Sequence, residues 1–342
     1  MEKYVLVTGG AGYIGSHTVV SLVENGYTPV ILDDFRNANR VVIDGLTKIL
    51  GKKPIIIELD VCDQNGVKEI FESYKFEGII HFAAYKAVGE SVDEPLKYYQ
   101  NNLMGLINIL SNMIEFNVKN LVFSSSCTVY GEPKGIKEVT EETPKNFPNS
   151  PYGFTKWIGE QIIEDTFKAN PSLNLMNLRY FNPVGAHKSS LIGEFPIGKP
   201  NNLMPYITQT AIGKQEELIV FGNDYPTIDG TCIRDYIHVV DLAYAHVKAI
   251  VFLAGKFGSF ETINIGTGKG SSVLEIISAF ESETGQKLKW KYGKRRSGDV
   301  TEIFANATKA KNILEWEAKL SIKDAVIDAW NWEKKLIEHN EK

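Results

Sequence analysis

Cysteine is scarce in this chain: Cys62, Cys127 and Cys232 are the three among 342 residues. An odd, widely spaced set supplies neither a disulfide framework nor a zinc spacing, so a reducing compartment and no bound metal are expected. Long apolar runs are missing as well. The richest stretch, Ile237 to Leu253, is broken by Asp241, His246 and Lys248 and falls short of the roughly 20 residues of a membrane span. The opening Met1-Glu2-Lys3-Tyr4-Val5-Leu6-Val7 has only a short apolar run that ends in glycines, which is not signal-peptide architecture. A cytoplasmic location away from membranes is expected. A basic surplus is also absent. With 37 Lys and Arg against 42 Asp and Glu the net charge is −5, which argues against nucleic acid or anionic lipid as a partner. The mild lysine cluster near the C-terminus is interleaved with acidic residues and reads as a solvated face. No internal repeat or low-complexity segment stands out.

What is present is a chain 43% hydrophobic and 23% charged, enough for a substantial core in one large or two ordinary domains. Short apolar runs recur in the first half: Val5-Leu6-Val7, Val30-Ile31-Leu32, Ile55-Ile56-Ile57, Ile79-Ile80-His81-Phe82 and Leu121-Val122-Phe123, with a further candidate from Leu175 to Phe181. Continuous runs, rather than strict alternation, predict strands buried on both faces of a parallel sheet. Helix-length segments lie between them, such as His17 to Asn25, closed by Gly26 where a left-handed residue is wanted. This pattern predicts an α/β fold of the Rossmann type, a doubly wound parallel sheet. The rhythm fails after residue 183, where proline and glycine become frequent from Pro183 to Pro205. A smaller C-terminal α/β region over 184–342, beside a first region over 1–183, is expected, with interweaving of segments allowed. A final helix from roughly Ser321 to His339 closes the chain.

Thr8-Gly9-Gly10-Ala11-Gly12-Tyr13-Ile14-Gly15 follows the first strand and opens the first helix. Gly9, Gly12 and Gly15 permit a tight turn, close approach of backbone to a pyrophosphate, and close packing of helix on sheet. The helix N-terminus then offers free N–H groups and a positive dipole end to phosphates. A glycine triplet alone is weak evidence. Asp33 at the end of the second strand supplies context, because a carboxylate there accepts hydrogen bonds from an adenine ribose. Asp34 follows it and no arginine stands at either position, which favours NAD over its phosphorylated relative.

Ser150-Pro151-Tyr152-Gly153-Phe154-Thr155-Lys156 carries a helix start, with Ser150 as N-cap and Pro151 in the first turn. Tyr152 and Lys156 then share one helical face. A free tyrosine titrates near 10, roughly 4 kcal/mol too high for a base at neutral pH. An ammonium about 5 Å away at an effective dielectric of 20 supplies roughly 3 kcal/mol of this, and a cationic nicotinamide could supply much of the rest. Taken singly, a Tyr-x-x-x-Lys is more often a surface pair. Ser124-Ser125-Ser126-Cys127-Thr128 at the end of the fifth strand changes that reading, because ligands of open α/β sheets gather at the carboxyl ends of strands. A serine hydroxyl there could share one substrate oxygen with Tyr152.

These residues resemble the extended short-chain dehydrogenase/reductase family, marked by G-x-x-G-x-x-G and Y-x-x-x-K, and within it the UDP-galactose 4-epimerases. The resemblance covers essentially the whole chain. It is carried by V-T-G-G-A-G-Y-I-G-S-H at 7–17, H-F-A-A-Y-K-A-V-G-E-S at 81–91, S-S-S-C-T-V-Y-G at 124–131 and S-P-Y-G-F-T-K at 150–156. R-Y-F-N-P-V-G-A-H at 179–187, P-N-N-L-M-P-Y at 200–206, F-G-N-D-Y-P-T at 221–227 and R-D-Y-I-H-V-V-D-L-A at 234–243 continue it. The resemblance implies an NAD-binding region over 1–183 and a UDP-sugar-binding region over 184–342. It makes Tyr13, Ile14, Asp33, Asp34 and Asn37 cofactor contacts at the pyrophosphate and adenosine end, and Asp60 and Val61 the adenine-side pair. Phe82, Lys86 and Asn101 match further cofactor contacts, Tyr152 and Lys156 contacts to the nicotinamide ribose, and Phe181 a neighbour of the ring. Asn182, Asn202 and Leu203 match positions that hold UDP, Arg234 and Arg296 its diphosphate clamps, and Asp299 a uridine-ribose partner. For two of these a plain structural reading stands beside the functional one: Asn182 could satisfy turn backbone, and Arg234 could pair with Asp235.

The chemistry implied is transient oxidation at carbon 4 of the hexose of UDP-glucose or UDP-galactose. Tyr152 would act as phenolate base, Lys156 would tune it, and Ser126 would orient the sugar oxygen. A homodimer is implied by the resemblance alone. Ile303 stands where such epimerases vary residue size: a tyrosine crowds an N-acetyl group and smaller residues admit it. Isoleucine is intermediate and leaves UDP-N-acetylglucosamine and UDP-N-acetylgalactosamine open as substrates. Two rival readings stand beside this one. One is a nucleotide-sugar dehydratase or decarboxylase of the same family; a dehydratase would be expected to carry an acidic pair after a threonine near 126–128 for eliminating water, where this chain has Ser126-Cys127-Thr128. A non-catalytic NAD-sensing protein has less reason to keep Ser126, Tyr152 and Lys156 together.

Overall fold

Val, Ile and Leu dominate six short runs of the first half, and each forms a strand with its backbone hydrogen bonds satisfied by neighbours. The computed structural model describes residues 2–133, 135–296 and 298–340. Its main sheet contains β1 (Tyr4–Thr8), β2 (Thr28–Leu32), β3 (Ile55–Ile57), β4 (Phe76–His81), β5 (Asn120–Ser126), β6 (Asn174–Tyr180) and β7 (Ser259–Ile265). All pairings are parallel, in the order β7-β6-β5-β4-β1-β2-β3. The order reverses between β1 and β4, which opens a crevice at their carboxyl ends, the place where doubly wound sheets bind ligands. The predicted α/β doubly wound sheet is therefore what forms.

Two apolar cores flank the sheet. On one face Val19, Val20 and Leu22 of the helix Tyr13–Glu24 meet Leu242, Val247 and Ile250 of the helix Val239–Ala254. On the other, Leu106 and Ile109 of the helix Pro95–Glu115 and Ile163 of the helix Pro151–Ala169 pack on Leu6, Ile79 and Phe123. The first helix ends at Glu24, and Gly26 takes the left-handed conformation with φ 80°. It begins at Tyr13, four residues before the expected start at His17, because the glycine turn passes directly into it.

Segments on either side of the expected division after residue 183 interweave. Past that point the chain builds a second sheet around Ile233–His238, with neighbours Gly270–Ser272, Glu302–Ala305 and Asn182–Val184; Glu138–Val139 extends it beyond Glu302–Ala305. The helix Val239–Ala254 and β7 then return to the first sheet. A third core, including Met204, Ile207, Phe280 and Val326, is closed by the helix Ile322–Asn340. Among the described residues, no helix is long and apolar enough to cross a membrane.

Candidate active site

The glycine turn is packed to contact. Gly9 has φ 69°, and a Cβ there would stand 2.8 Å from the Ala83 nitrogen. A Cβ on Gly15 would overlap the Gly9 carbonyl oxygen and stand 2.8 Å from the Gly10 Cα. The helix Tyr13–Glu24 starts from Gly12 with no side-chain cap, so its first N–H groups are left for an anion. Asp33 closes this turn: Oδ2 accepts the Ala11 N–H at 2.9 Å and Oδ1 the Phe35 N–H at 2.9 Å. Burial raises its carboxyl above the ordinary value and these two N–H groups oppose the rise. Each oxygen keeps acceptor capacity for a ribose hydroxyl. The cradle fits a dinucleotide.

Beyond Asp33 lies a cavity of about 540 Å³, lined by Arg36, Asp60, Tyr85, Lys97, Asn101 and Met104 among others. Arg36 is the residue that sequence reasoning missed here. Its Nε lies 2.6 Å from Asp34 Oδ2, its Nη1 3.3 Å from the Tyr85 hydroxyl and 3.4 Å from Asn101 Oδ1, and its Nη2 pairs with Asp60. Asp34, Asp60 and Asn101, expected as cofactor contacts, are thereby brought to one guanidinium. Although no arginine follows β2 directly, one returns to it from three residues past Asp33. Val61 is buried beneath, its carbonyl accepting the Asn108 amide at 3.0 Å, and Asn37 is exposed on the same loop. Tyr13 donates to the Gly185 carbonyl at 2.7 Å, and Ile14 packs at the edge of the first core. Phe82 leaves β4 with its ring 4.6 Å from His246. Lys86 pairs with Glu194 at 3.1 Å.

The expected catalytic trio meets at the carboxyl end of β5. Ser126 is the last residue of that strand, and its hydroxyl accepts the Thr128 N–H at 3.2 Å. The Ser150 side chain caps the helix Pro151–Ala169 through the Gly153 N–H at 3.2 Å, with Pro151 opening it as expected. Tyr152 and Lys156 lie on its buried face, and Lys156 Nζ donates to the Ser124 carbonyl at 2.6 Å. Burial pushes the Tyr152 hydroxyl well above 10.0, the neighbouring Tyr180 adds to this, and the Ser126 hydroxyl opposes it. Burial also pulls the Lys156 ammonium down to about 7. Spacing sets an ammonium beside a tyrosine at its free value, whereas burial disfavours the charge on both. Tyr180, bonded to Ser124, was also missed, as was His81, which shares a 2.8 Å hydrogen bond with Thr8. Cys127 stays a thiol, pushed up to about 11 by burial.

On the other wall, Asn182 sits opposite Tyr236 in the second sheet. Asn202 is the N-cap of the helix Leu203–Ala211, of which Leu203 is the first residue. Arg296 grips Asp299 through two nitrogens at 3.2 and 2.8 Å, while Arg234 Nη2 lies 3.7 Å from the same carboxylate. The plain reading of Arg234 does not hold. Asp235 is fully buried and accepts from Thr267, Gly268 and Ala305 instead. Ile303 faces Arg234 in the strand register and packs in a small apolar cluster with Phe181, Val129 and Tyr130. Phe181 and Ile303, expected beside the cofactor ring and the sugar, thus lie in one apolar cluster, with Cys127 at its margin.

A family model described as GDP-mannose 4,6 dehydratase matches residues 6–329. The UDP-glucose 4-epimerase of Schizosaccharomyces pombe is 49% identical over 98% of this chain and 95% of that protein. The UDP-glucose 4-epimerase of Bacillus subtilis is 49% identical over 96% of each chain. The chain belongs to the UDP-glucose 4-epimerase family. Among solved structures of the family, the Stenotrophomonas maltophila epimerase with bound NAD and formylated UDP-arabinopyranose superimposes with a TM-score of 0.95 at 44% identity, covering 99% of this chain and 100% of that one. The UDP-Glc/GlcNAc 4-epimerase of Campylobacter jejuni superimposes at 0.83 with 36% identity, over 97% and 99% of the two chains. The dehydratase description of the broad family model finds no acid at the end of β5, where this member of the epimerase family has Cys127.

Proposed function

We propose that the chain interconverts UDP-glucose and UDP-galactose by reversible oxidation at carbon 4 of the hexose, using NAD. The observation that carries this reading is the meeting of Ser126, Tyr152 and Lys156 at the end of β5, beside a glycine turn shaped for a dinucleotide. When bound, NAD supplies the hydride acceptor and donor together with a positive charge. Gly9, Gly12, Tyr13, Ile14 and Gly15 hold its pyrophosphate side, and Asp33, Asp34, Asn37, Asp60, Val61 and Asn101 its adenosine. Phe82, Lys86 and Phe181 line the rest of its path.

Tyr152 removes the proton of the 4-hydroxyl and gives it back to the same oxygen once the turned 4-keto sugar has taken hydride on its opposite face, while Ser126 orients that oxygen. Lys156 holds the cofactor ribose and its ammonium favours the phenolate. The nucleotide must stay gripped while the sugar turns. Asn182, Asn202 and Leu203 hold UDP, with Arg234 and Arg296 at the diphosphate and Asp299 at the uridine ribose; planar guanidinium forks suit phosphate oxygens. In this reading residues 1–183 serve mainly the cofactor and 184–342 the UDP-sugar.

Incubation with UDP-galactose followed by product analysis tests the proposal: the 4-epimer is expected, and a dehydrated keto-sugar or no product refutes it. Tyr152→Phe is expected to cut turnover at least about 100-fold while UDP binding stays near normal, the size of a lost general base. Near-normal turnover in that variant refutes the phenolate.

Leu96, Ile107 and Ile114 are exposed along one face of the helix Pro95–Glu115. They support a homodimer through that face, which the molar mass in solution tests. The three free cysteines accord with a cytoplasmic location.

A further inference from the structure

Glu194 joins the two halves of the site. Its side chain is 10% exposed, and Oε1 accepts from Lys86 Nζ at 3.1 Å and from Asn202 Nδ2 at 2.5 Å. Its own carbonyl accepts the Trp332 indole N–H at 2.9 Å, which ties the loop to the closing helix Ile322–Asn340. Lys86 follows β4 on the proposed cofactor side, and Asn202 immediately precedes the helix Leu203–Ala211 on the proposed nucleotide side. One carboxylate oxygen therefore fixes one side chain from each binding region.

We propose that Glu194 is a positioning residue that couples the cofactor and UDP-sugar subsites, so that each ligand strengthens the hold on the other. The inference rests on the proposed roles of Lys86 and Asn202. An ammonium has three donors and an amide nitrogen two, so each partner can keep Glu194 while also serving a ligand. A ligand that fixes Lys86 fixes the carboxylate, and the carboxylate then presents Asn202 already oriented. A ligand that pins either partner against Glu194 restrains the other as well, so less freedom remains to be lost when the second ligand binds. The exchange is reciprocal by linkage.

The experiment follows exchange of bound NAD for radiolabelled NAD in purified holoenzyme, with and without saturating UDP. UDP is expected to slow exchange about fivefold or more in the unaltered protein, the lower end of ordinary coupling, and by less than about twofold in Glu194→Gln. Glu194→Asp keeps the charge but is one methylene shorter, and the same loss is expected in it; it serves alone if Glu194→Gln does not fold. Wild-type slowing in a folded variant, or exchange in the unaltered protein that ignores UDP, overturns the proposal. Product analysis with UDP-galactose keeps the two readings apart. Epimer formed without coupled exchange sinks only the role of Glu194, whereas absence of epimer sinks the activity itself.

Discussion

Glu160 and Arg179 form the most deeply buried ion pair described in the molecule, directly behind the candidate catalytic groups, and Glu160→Gln tests what it does. Their side chains are 3% and 5% exposed. Arg179 Nε reaches Glu160 Oε1 at 2.8 Å and Nη2 reaches Oε2 at 2.7 Å, and Ser125 adds a 2.6 Å hydrogen bond to Oε1. Arg179 also meets the Tyr130 hydroxyl at 3.1 Å. Glu160 stands four and eight residues past Lys156 and Tyr152 on the same helical face, and Ser125 immediately precedes Ser126. The pair therefore clamps the helix Pro151–Ala169 onto β5 and β6.

Removing the carboxylate charge leaves a guanidinium buried without its counter-ion, a loss of about 3–5 kcal/mol, against a whole-protein stability of order 5–15 kcal/mol. Denaturant unfolding of the variant should show this loss, and kcat should fall more than KM for UDP-galactose rises. A variant within about 0.5 kcal/mol of the parent refutes the reasoning. The double substitution Glu160→Gln with Arg179→Met separates charge from packing. It should recover much of the loss, since replacing both partners of a buried pair is often close to neutral. If it is no better than the single variant, the cost is one of packing and the argument from charge fails. The pH dependence has a definite sign. Burial would raise the Glu160 carboxyl, but Arg179 outweighs burial and holds it below 4.5. Its stabilisation is complete above the unfolded value near 4.5 and is lost as pH falls through the lower folded value.

Three further outcomes are expected. Burial pulls Lys156 down from 10.5 to about 7, so the unfolded chain binds more protons between those values and stability rises with pH across them. Lys156→Met should flatten that rise in urea melts taken from pH 7 to 10; an unchanged slope assigns it elsewhere. Gly15→Ala should weaken NAD binding roughly fivefold to a hundredfold, the effect of about 1–3 kcal/mol of overpacking, read as cofactor retained through purification. Ile303→Tyr should abolish any turnover of UDP-N-acetylgalactosamine that the parent shows while leaving UDP-galactose turnover within about threefold, with the melting temperature recorded because position 303 is 4% exposed and a larger ring strains its cluster. Equal loss of both activities defeats the size argument.

The parts of the fold that were legible in the sequence are those written locally. Parallel strands buried on both faces read as unbroken apolar runs, and six of the seven strands did so. The seventh, Ser259–Ile265, lies at the sheet edge with only its last three residues buried, and its alternating Ser-Phe-Glu-Thr-Ile-Asn-Ile carried no such run. The glycine turn and the Ser150-Pro151 cap were legible because backbone geometry demands particular residues at fixed offsets. Arg36, Glu194 and the Glu160–Arg179 pair were not. Each acts through partners brought to it by the fold, 108 residues apart in the case of Lys86 and Glu194, and nothing in the local sequence distinguishes such a charge from one left in solvent.

Spacing could set Tyr152 beside Lys156, but it could not supply the dielectric around them, and that omission reverses part of the argument. Burial holds the tyrosine neutral at neutral pH and pulls the lysine ammonium down to about 7. In the proposed mechanism the phenolate therefore needs positive charge close to Tyr152 beyond what a Lys156 ammonium bonded to the Ser124 carbonyl supplies. The same condition predicts that spectroscopic titration of Tyr152 in the cofactor-free protein will find it protonated throughout the neutral range, and that any ionisation near pH 7 will require bound NAD.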